Sequence, residues 1–279
     1  MSRYVITGST GFIGRNLVER LDSEMHTVLP FGRSNYPEDV AKANPDYIIH
    51  CAGETEDEEW MVESNVVLTD QLLDQARKCS NLKAFVTIGS STEQGKKSDE
   101  PNTYFDPVDL YGATKGAATL ISLAYARSYN VPACVIRPMS LYGKYDKIYH
   151  LIPKLYDAQF APPHSVSVHP GVHDWMSIDD FVSGILTIAR PGKCIGDVVN
   201  LGTGNFVSNQ KVVRIMEELL NVDLPVSYKD TYLNSYDRGA WTCDPINAEC
   251  EYGWKANISL VDGLRDYVAW RRSQPLPPF

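Results

Sequence analysis

Short apolar runs alternate with amphipathic stretches through the first half of the chain. The runs are continuous in apolar residues rather than alternating, which is typical of parallel strands buried on both faces. Between them, apolar residues recur at helical spacing, as at Val62, Val66, Leu72, Leu73 and Ala76. The pattern predicts strands at residues 3–8, 26–33, 45–53, 82–90 and 131–138, and helices at residues 11–21, 61–78 and 111–129. Such alternation predicts an α/β fold with a parallel sheet.

The regular alternation loosens after about Gly143. A loop rich in proline and histidine covers residues 161–175, and a helix is predicted at residues 178–189. Residues 197–205 read as a late strand that returns to the sheet, followed by a helix that Ser208 could cap. A last helix is predicted at residues 260–271. We therefore expect a first domain over residues 1–160, to which residues 178–202 return, and a second lobe made mainly from residues 161–279.

Composition narrows the class of protein. The chain has 279 residues, of which 43% are hydrophobic, and a formal net charge of -9. This acidic balance argues against nonspecific nucleic-acid binding, which needs clustered Lys and Arg. The six cysteines contain no CxxC pair, no residues are spaced like metal ligands, and neither a secretory leader nor a membrane span is evident. We expect a soluble, cytoplasmic protein without a metal.

A glycine-rich segment, TGSTGFIG, lies between the first strand and the first helix. Gly8, Gly11 and Gly14 recur at every third residue. Glycines at such a junction allow a tight turn, close approach of a pyrophosphate, and packing of the helix on the strand. The free N–H groups of the helix would favour an anion. A turn without a ligand is the alternative interpretation.

A second motif, YGATK, places Tyr111 and Lys115 one turn apart on a predicted helix. A lysine close to a phenol stabilises the phenolate, so we expect the pKa of Tyr111 to be lowered. Tyr111 could then act as a general acid or base. By itself the motif could equally be an ordinary surface pair.

Together, TGSTGFIG and YGATK resemble the extended short-chain dehydrogenase/reductases, the NAD-dependent epimerase/dehydratase family that modifies nucleotide sugars. The resemblance implies a Rossmann-type doubly wound parallel sheet that binds NAD(P), with a smaller C-terminal α/β substrate-binding lobe. Relatives carry F-V-x-x-S-S-x-x-V-Y-G, which matches FVTIGSSTEQG and places Ser90 at the catalytic position. Glu93 and Gln94 depart from the Val-Tyr of relatives. Ser91 and Thr92 stand where dehydratases carry Asp-Glu, which argues against 4,6-dehydration.

The resemblance implies a full set of site residues. The expected catalytic residues are Ser90, Tyr111 and Lys115. The expected cofactor-binding residues are Gly8, Thr10, Gly11, Phe12, Ile13, Gly14, Arg33, Cys51, Ala52, Gly53, Ile88, Tyr111, Lys115, Arg137 and Pro138. The expected substrate-binding residues are Ser91, Thr92, Ser140 and Arg238. Asn65 matches an asparagine of relatives, and VIRPMSLYG matches R-P-x-N-x-Y-G with Ser140 in place of the asparagine.

The end of the second strand bears on the cofactor. NAD-binding proteins of this fold normally carry an acidic residue there, but the first acid is Glu38, and Arg33 is available instead. An arginine can pair with a 2′-phosphate, so we expect NADP(H) in preference to NAD. Alternatively, Arg33 stacks on adenine or faces solvent, and NAD is bound.

The resemblance favours NADP(H)-dependent reduction, or epimerisation and reduction, of a nucleotide-linked 4-keto-6-deoxy sugar. The missing dehydratase acids and the short link between the second and third strands support this hypothesis. The main alternative is a redox-neutral, NAD-dependent nucleotide-sugar 4-epimerase, and a non-catalytic NAD(P) sensor is a further one. Relatives often form homodimers through the Tyr111 helix and the helix before it, which together make a four-helix bundle. No second acid/base is assigned among His164, His169 and His173.

Overall fold

The computed structural model describes residues 1–32, 34–95, 104–160, 165–233, 237, 240–241 and 243–275. The strands are β1 (Arg3–Thr7), β2 (Thr27–Phe31), β3 (Tyr47–His50), β4 (Ala84–Ile88), β5 (Ala133–Pro138), β6 (Ser140–Tyr142), β7 (Val166–Val168), β8 (Val172–His173), β9 (Trp175–Ser177), β10 (Val198–Leu201), β11 (Val207–Ser208), β12 (Val226–Tyr228) and β13 (Ala240–Trp241). The α-helices are α1 (Phe12–Ser23), α2 (Glu38–Ala43), α3 (Glu58–Val62), α4 (Leu68–Ala76), α5 (Leu110–Tyr129), α6 (Leu151–Ala158), α7 (Ile178–Ile188), α8 (Asn209–Leu220), α9 (Ile246–Tyr252) and α10 (Leu260–Ser273).

Six strands form one parallel sheet in the order β10-β5-β4-β3-β1-β2. The strand β2 lies on one side of β1, whereas β3 and the later strands lie on the other side. The strand order therefore changes direction between β1 and β3, as in a doubly wound fold. The late strand β10 joins the sheet beside β5, with Val198 opposite Val135. The predicted α/β fold with a parallel sheet is confirmed. Its switch point places the end of β1 beside the end of β3, where the glycine-rich segment begins.

Helices cover both faces of this sheet. Ile6, Ile49 and Ile136 point to a core that includes α1 and α7. The intervening residues Val5 and Ile48 point to the opposite core, with α2, α4 and α5. Because both faces are buried, the strands carry the continuous apolar runs seen in the sequence. Within the described residues, no helix is both long and apolar enough to span a membrane.

A separate core lies among shorter strands, and elements on both sides of residue 160, from β6 and α6 onward, contribute to it; we call these elements the second lobe. Helices α6, α8 and α10 pack together around Leu155, Val212, Met216 and Leu264, all of which are fully buried. Its small sheets are β11-β8-β13, β12-β7 and β6-β9. Ser208 caps α8 as predicted, since its hydroxyl accepts a hydrogen bond from the Lys211 N–H at 3.2 Å.

The predicted helix at residues 61–78 needs correction. The structure divides this stretch into α3, a π-helical segment (Glu63–Val67) and α4. Apolar spacing alone does not distinguish a π-helical turn from α-helix, because one extra residue per turn shifts the pattern only locally. The π-helical segment contains Asn65, whose contacts are described below.

Candidate active site

The glycine-rich segment is tightly packed where β1 ends. Gly8 has a φ of +63°, and a Cβ at this position would lie 2.7 Å from the Ala52 nitrogen. A Cβ at Gly14 would lie 2.2 Å from the Gly8 oxygen. The Gly11 N–H donates to the same oxygen at 2.9 Å. The close approaches at Gly8 and Gly14 explain why these positions carry glycine.

The start of α1 leaves room for an anion. Its N-cap is Gly11, so no side chain caps the first turn, and that turn contains no acidic residue. Thr10 and Gly11 are exposed, whereas Phe12 and Ile13 pack against the core. The uncapped N–H groups and the helix dipole suit a phosphate at this end. The chemistry of the segment therefore fits a dinucleotide cofactor.

The residues of α5 that the sequence predicts to be catalytic lie on one face of the helix. Asp109 caps α5 by accepting the Gly112 N–H at 2.7 Å. Tyr111, Lys115 and Thr119 follow at intervals of four residues, so their side chains share one face. Lys115 is only 8% exposed, and its ammonium donates to the carbonyl oxygen of Ile88 at the end of β4. This bond fixes the lysine at the carboxyl edge of the sheet.

Ser90 follows β4 and caps a short 3₁₀ turn (Ser91–Gln94). Its Oγ lies 2.8 Å from the Thr92 Oγ1, and hydrogen bonding by its side chain lowers the pKa of the Tyr111 phenol. The structure therefore brings together the three residues predicted to be catalytic. Ser91 is half-buried in the same turn and Thr92 is bonded to Ser90, so both predicted substrate residues also lie beside this centre.

The expected lowering of the Tyr111 pKa is wrong. Loss of hydration raises the pKa of Tyr111, the hydrogen bond from Ser90 lowers it, and the charge of Glu93 raises it again. The charge of Lys147, from the segment after β6, lowers the Tyr111 pKa. Burial lowers the pKa of Lys115. Tyr111 therefore favours its protonated form.

Asn65 connects the segment after β3 to α5. Its Oδ1 accepts the Glu54 N–H at 2.8 Å, while its Nδ2 donates to the Glu54 oxygen at 2.9 Å and to the Thr114 Oγ1 at 3.0 Å. A Cβ at Gly53 would lie 2.8 Å from Asn65 Oδ1 and 3.9 Å from the Lys115 ammonium. The asparagine thereby fixes the path of the chain past the lysine.

The residues predicted after β3 lie against the glycine-rich segment. The Ala52 N–H donates to the Thr7 Oγ1 at 3.2 Å, and the same hydroxyl lies 2.7 Å from His50 Nδ1. Complete burial lowers the pKa of His50 to about 3. Cys51 is half-buried, and burial raises its pKa to about 12, so it stays a thiol. Sequence reasoning missed His50, although a histidine inside an apolar run was a visible signal.

Arg137 lies in the protein interior. It is fully buried on β5, and its guanidinium forms an ion pair with Glu93 at 2.7 Å and stacks on the Phe105 ring at 4.8 Å. Its charge is thus directed at Glu93, and its place among the cofactor residues stays a prediction, as does that of the neighbouring Pro138, which is half-buried at the end of β5. Sequence reasoning noted Glu93 only as a departure from its relatives and missed this ion pair.

The second lobe supplies another polar group and a cavity. Ser140 Oγ lies 3.2 Å from His173 Nδ1, and His173 Nε2 lies 3.7 Å from Asp237. Burial lowers the pKa of His173 to about 4. Beside them is a cavity of about 480 Å³, lined by His169, Pro170, Gly171, Val172, Phe206, Ser208, Asn209, Gln210, Tyr232 and Asp237. Asn209 Oδ1 is buried without a hydrogen-bond partner among the described residues. Arg33, Arg238 and His164 lie outside the described residues.

Known proteins resemble this chain over most of its length. The model of the NAD dependent epimerase/dehydratase family matches residues 4–202. A probable dTDP-glucose 4,6-dehydratase of Sinorhizobium fredii is 26% identical over 96% of this chain and 92% of its own length. A dTDP-glucose 4,6-dehydratase of Streptomyces griseus is 29% identical over 82% of this chain and 72% of its own.

Among solved structures, a UDP-glucuronic acid 4-epimerase from Bacillus cereus, in complex with UDP-glucuronic acid and NAD, has the same fold. It superposes with a TM-score of 0.87 at 19% identity, covering 97% of this chain and 99% of that one. The family match confirms the prediction of an NAD(P)-dependent extended short-chain dehydrogenase/reductase. The chain belongs to the NAD-dependent epimerase/dehydratase family.

Proposed function

We propose that the protein transfers hydride at C4 of a nucleotide-linked sugar, and that it works as an NADP(H)-dependent reductase of a 4-keto-6-deoxy sugar. The observation that carries the proposal is that three groups meet at the end of β4. Ser90 follows this strand, Lys115 donates to the carbonyl oxygen of its last residue, and Tyr111 lies one turn before Lys115 on α5. A hydroxyl, a phenol and an ammonium together can polarise a carbonyl and deliver a proton to its oxygen.

Each site residue has a separate role in the proposed reaction. The segment around Gly8, Gly11 and Gly14 would hold the pyrophosphate, and the bound nicotinamide supplies or accepts the hydride. Ser90 binds the substrate oxygen, Tyr111 protonates the emerging alkoxide, and Lys115 orients the phenol and the cofactor ribose. The raised Tyr111 pKa is compatible with a phenol that is protonated when reduction begins. No carboxylate occupies positions 91 and 92, which disfavours a dehydratase.

The proposed preference for NADP(H) rests on the sequence after β2. No acidic residue occurs between Phe31 and Glu38, whereas Arg33 could pair with a 2′-phosphate. The test is to titrate NADPH and NADH into the wild-type protein and into Arg33→Ala. We expect wild type to bind NADPH more tightly and the variant to lose that difference. Equal affinities for both cofactors in both proteins would contradict the preference.

The substrate can be identified by following NADPH oxidation. We expect turnover with one or more of the CDP-, GDP-, dTDP- and UDP-linked 4-keto-6-deoxy sugars. Mass spectrometry of the product should show the gain of two hydrogens, which separates reduction from isomerisation. Turnover without consumption of NADPH would refute the proposal that the protein is a reductase.

A nucleotide-sugar 4-epimerase is the second candidate. It is favoured by the fold similarity to a 4-epimerase whose structure contains NAD. Such an enzyme would purify with NAD bound and interconvert C4 epimers without added reductant, which distinguishes it from the first candidate. Mass spectrometry of the nucleotide released from the purified protein is the first experiment to perform.

We further propose a homodimer formed through α3 and α5. Trp60, Val62 and Leu120 are each at least half exposed on these helices. The small-residue positions Gly112 and Gly116 instead contact Thr92 and Phe105 within the same subunit. Leu120→Glu should therefore shift the molar mass in light scattering from dimer to monomer, while a wild-type monomer would contradict the proposal.

A further inference from the structure

Glu93 places a fully buried carboxylate next to the candidate active site. It is the third residue of the 3₁₀ turn that Ser90 caps, and its side chain has no exposed surface. Carboxylates are seldom buried completely unless they are paired or have a specific role. The proteins that share the pattern F-V-x-x-S-S-x-x-V-Y-G carry valine at this position, so an apolar side chain is compatible with the fold.

The two oxygens of Glu93 contact three different elements. Oε1 accepts the backbone N–H of Ser90 at 2.8 Å. Oε2 accepts the Thr119 hydroxyl on α5 at 2.7 Å and the Arg137 Nε on β5 at 2.8 Å. Thr119 continues the helix face that carries Tyr111 and Lys115. One side chain thus joins the serine, the catalytic helix and the neighbouring strand.

Stability alone does not account for this arrangement. Replacing a buried ion pair by well-packed apolar residues is often neutral or stabilising, because desolvating two charges is costly. What the pair provides instead is a single geometry and a fixed charge. The next residue of the same turn is also buried and hydrogen-bonded, since the Gln94 Oε1 accepts the Asn200 Nδ2 at 2.8 Å.

We propose that Glu93 is a positioning residue that fixes Ser90 against Tyr111 and places a carboxylate beside the Tyr111–Lys115 pair. The inference rests on the proposed function, in which those three residues are catalytic. A negative charge next to the phenol favours the neutral phenol, which is the form that donates a proton. The role of Glu93 therefore favours proton donation by Tyr111 over proton removal.

Several other groups bear on the same phenol. Asp109, at the start of α5, raises the Tyr111 pKa, and Lys147, from the segment after β6, lowers it. Glu93 also raises the pKa of Lys115, and so does Cys51, from the segment after β3. Arg137 pairs with Glu93 from β5. Removing the Glu93 charge while these groups remain should therefore lower the Tyr111 pKa.

The test uses 3,5-difluorotyrosine at position 111, followed by ¹⁹F NMR during a pH titration of the cofactor-free protein. The fluorinated phenol titrates at lower pH, where the protein stays folded. We expect its midpoint to fall by about one pH unit in Glu93→Gln, the size of a lost charge interaction. Glu93→Asp, which keeps the charge, should titrate near wild type.

Asp180→Asn provides a matched control. This carboxylate is also buried, and it accepts two backbone N–H groups, from Asn257 and Ile258, at 3.0 and 2.9 Å. Its loss should lower stability without moving the titration of position 111. An unchanged midpoint in Glu93→Gln, or an equal shift in Asp180→Asn, would overturn the proposal.

If Glu93→Gln does not fold, the apolar pair Glu93→Val with Arg137→Met removes both charges and retains the packing. A downward shift is again expected, smaller than in Glu93→Gln because the positive charge of Arg137 is removed as well, and a wild-type midpoint overturns the proposal. The titration needs no substrate. A protein that shows the shift but reduces none of the 4-keto sugars would refute the proposed function alone, whereas turnover without the shift would refute the role of Glu93 alone.

Discussion

The polar groups at the carboxyl edge of the sheet and those that line the cavity of the second lobe are organised in different ways. Ser90, Glu93 and Asn65 are buried, and each forms hydrogen bonds with more than one partner. In the second lobe, the cavity is lined by exposed rings such as Phe206, and the buried Asn209 Oδ1 lacks a partner among the described residues.

The difference separates chemistry from recognition. A proton donor must be held within a fraction of an ångström of its target, so its supporting bonds are made before substrate arrives. A binding surface can leave a polar group unpaired and exposed rings uncovered, because the ligand supplies the missing contacts. We therefore expect variants at the sheet edge to affect turnover, and variants in the second lobe to affect affinity.

The largest expected effect is on turnover in Tyr111→Phe. Removing the phenol hydroxyl eliminates the proton donor, so kcat should fall roughly 100- to 10,000-fold. The thermal midpoint should change little, because the ring remains in place. The measurement is steady-state turnover of the identified nucleotide sugar, with Tyr129→Phe, a half-exposed tyrosine at the end of α5, as the control. Activity that survives in Tyr111→Phe would show that the sheet edge is not the catalytic centre.

The second prediction compares the buried histidines of the two regions. The pKa is about 3 for His50 and about 4 for His173, against 6.5 for an ordinary histidine. Below pH 6.5 the unfolded chain binds protons that the folded protein does not. The free energy of unfolding should therefore decrease as the pH is lowered below 6.5, by up to about 1.4 kcal/mol per pH unit for each histidine.

Urea unfolding of wild type, His50→Gln and His173→Gln between pH 7.5 and 4.5 measures this slope. Each variant should flatten it, because one of the proton-binding differences is removed. An unchanged slope in His173→Gln alone would show that the second lobe opens to solvent and that its histidine is not buried in solution.

The third prediction concerns the glycine-rich segment. In Gly14→Ala the added methyl group would meet the Gly8 oxygen at 2.2 Å, so we expect a loss of about 1–3 kcal/mol in unfolding free energy. Gly32→Ala is the matched control, because no atom lies within 4 Å of its added methyl group. Equal stability of the two variants would contradict the tight packing at the end of β1.

The smallest expected effect is in the second lobe. Asn209→Ala removes an unpaired acceptor and one bond, from Nδ2 to the His169 oxygen at 3.1 Å. If a ligand pairs with Oδ1, the KM for the nucleotide sugar should rise roughly 2- to 10-fold, which is the value of one hydrogen bond, with kcat unchanged. A fall in kcat with constant KM would contradict the expectation that the second lobe affects affinity and the sheet edge affects turnover.

Much of the fold could be predicted from the sequence. Continuous apolar runs separated by helical spacing predicted a parallel sheet, and β10 returns to it as expected. The helix ends were close: the predicted helix at residues 111–129 begins at Leu110 and ends at Tyr129. Local patterns suffice here because burial on two faces leaves an unbroken apolar signature. The π-helical segment at Asn65 was not predicted, because apolar spacing does not show that Asn65 meets Thr114, 49 residues further along the chain.

The site shows the same division. The sequence by itself determined the glycine positions, the Tyr111–Lys115 spacing and the family, because these depend on local backbone geometry and on one helical turn. Only the tertiary structure decided the charges: burial raised the Tyr111 pKa that the motif had predicted to be low, and Arg137 is paired with Glu93. Desolvation and ion pairing depend on which groups meet from distant segments, and no local spacing specifies those meetings.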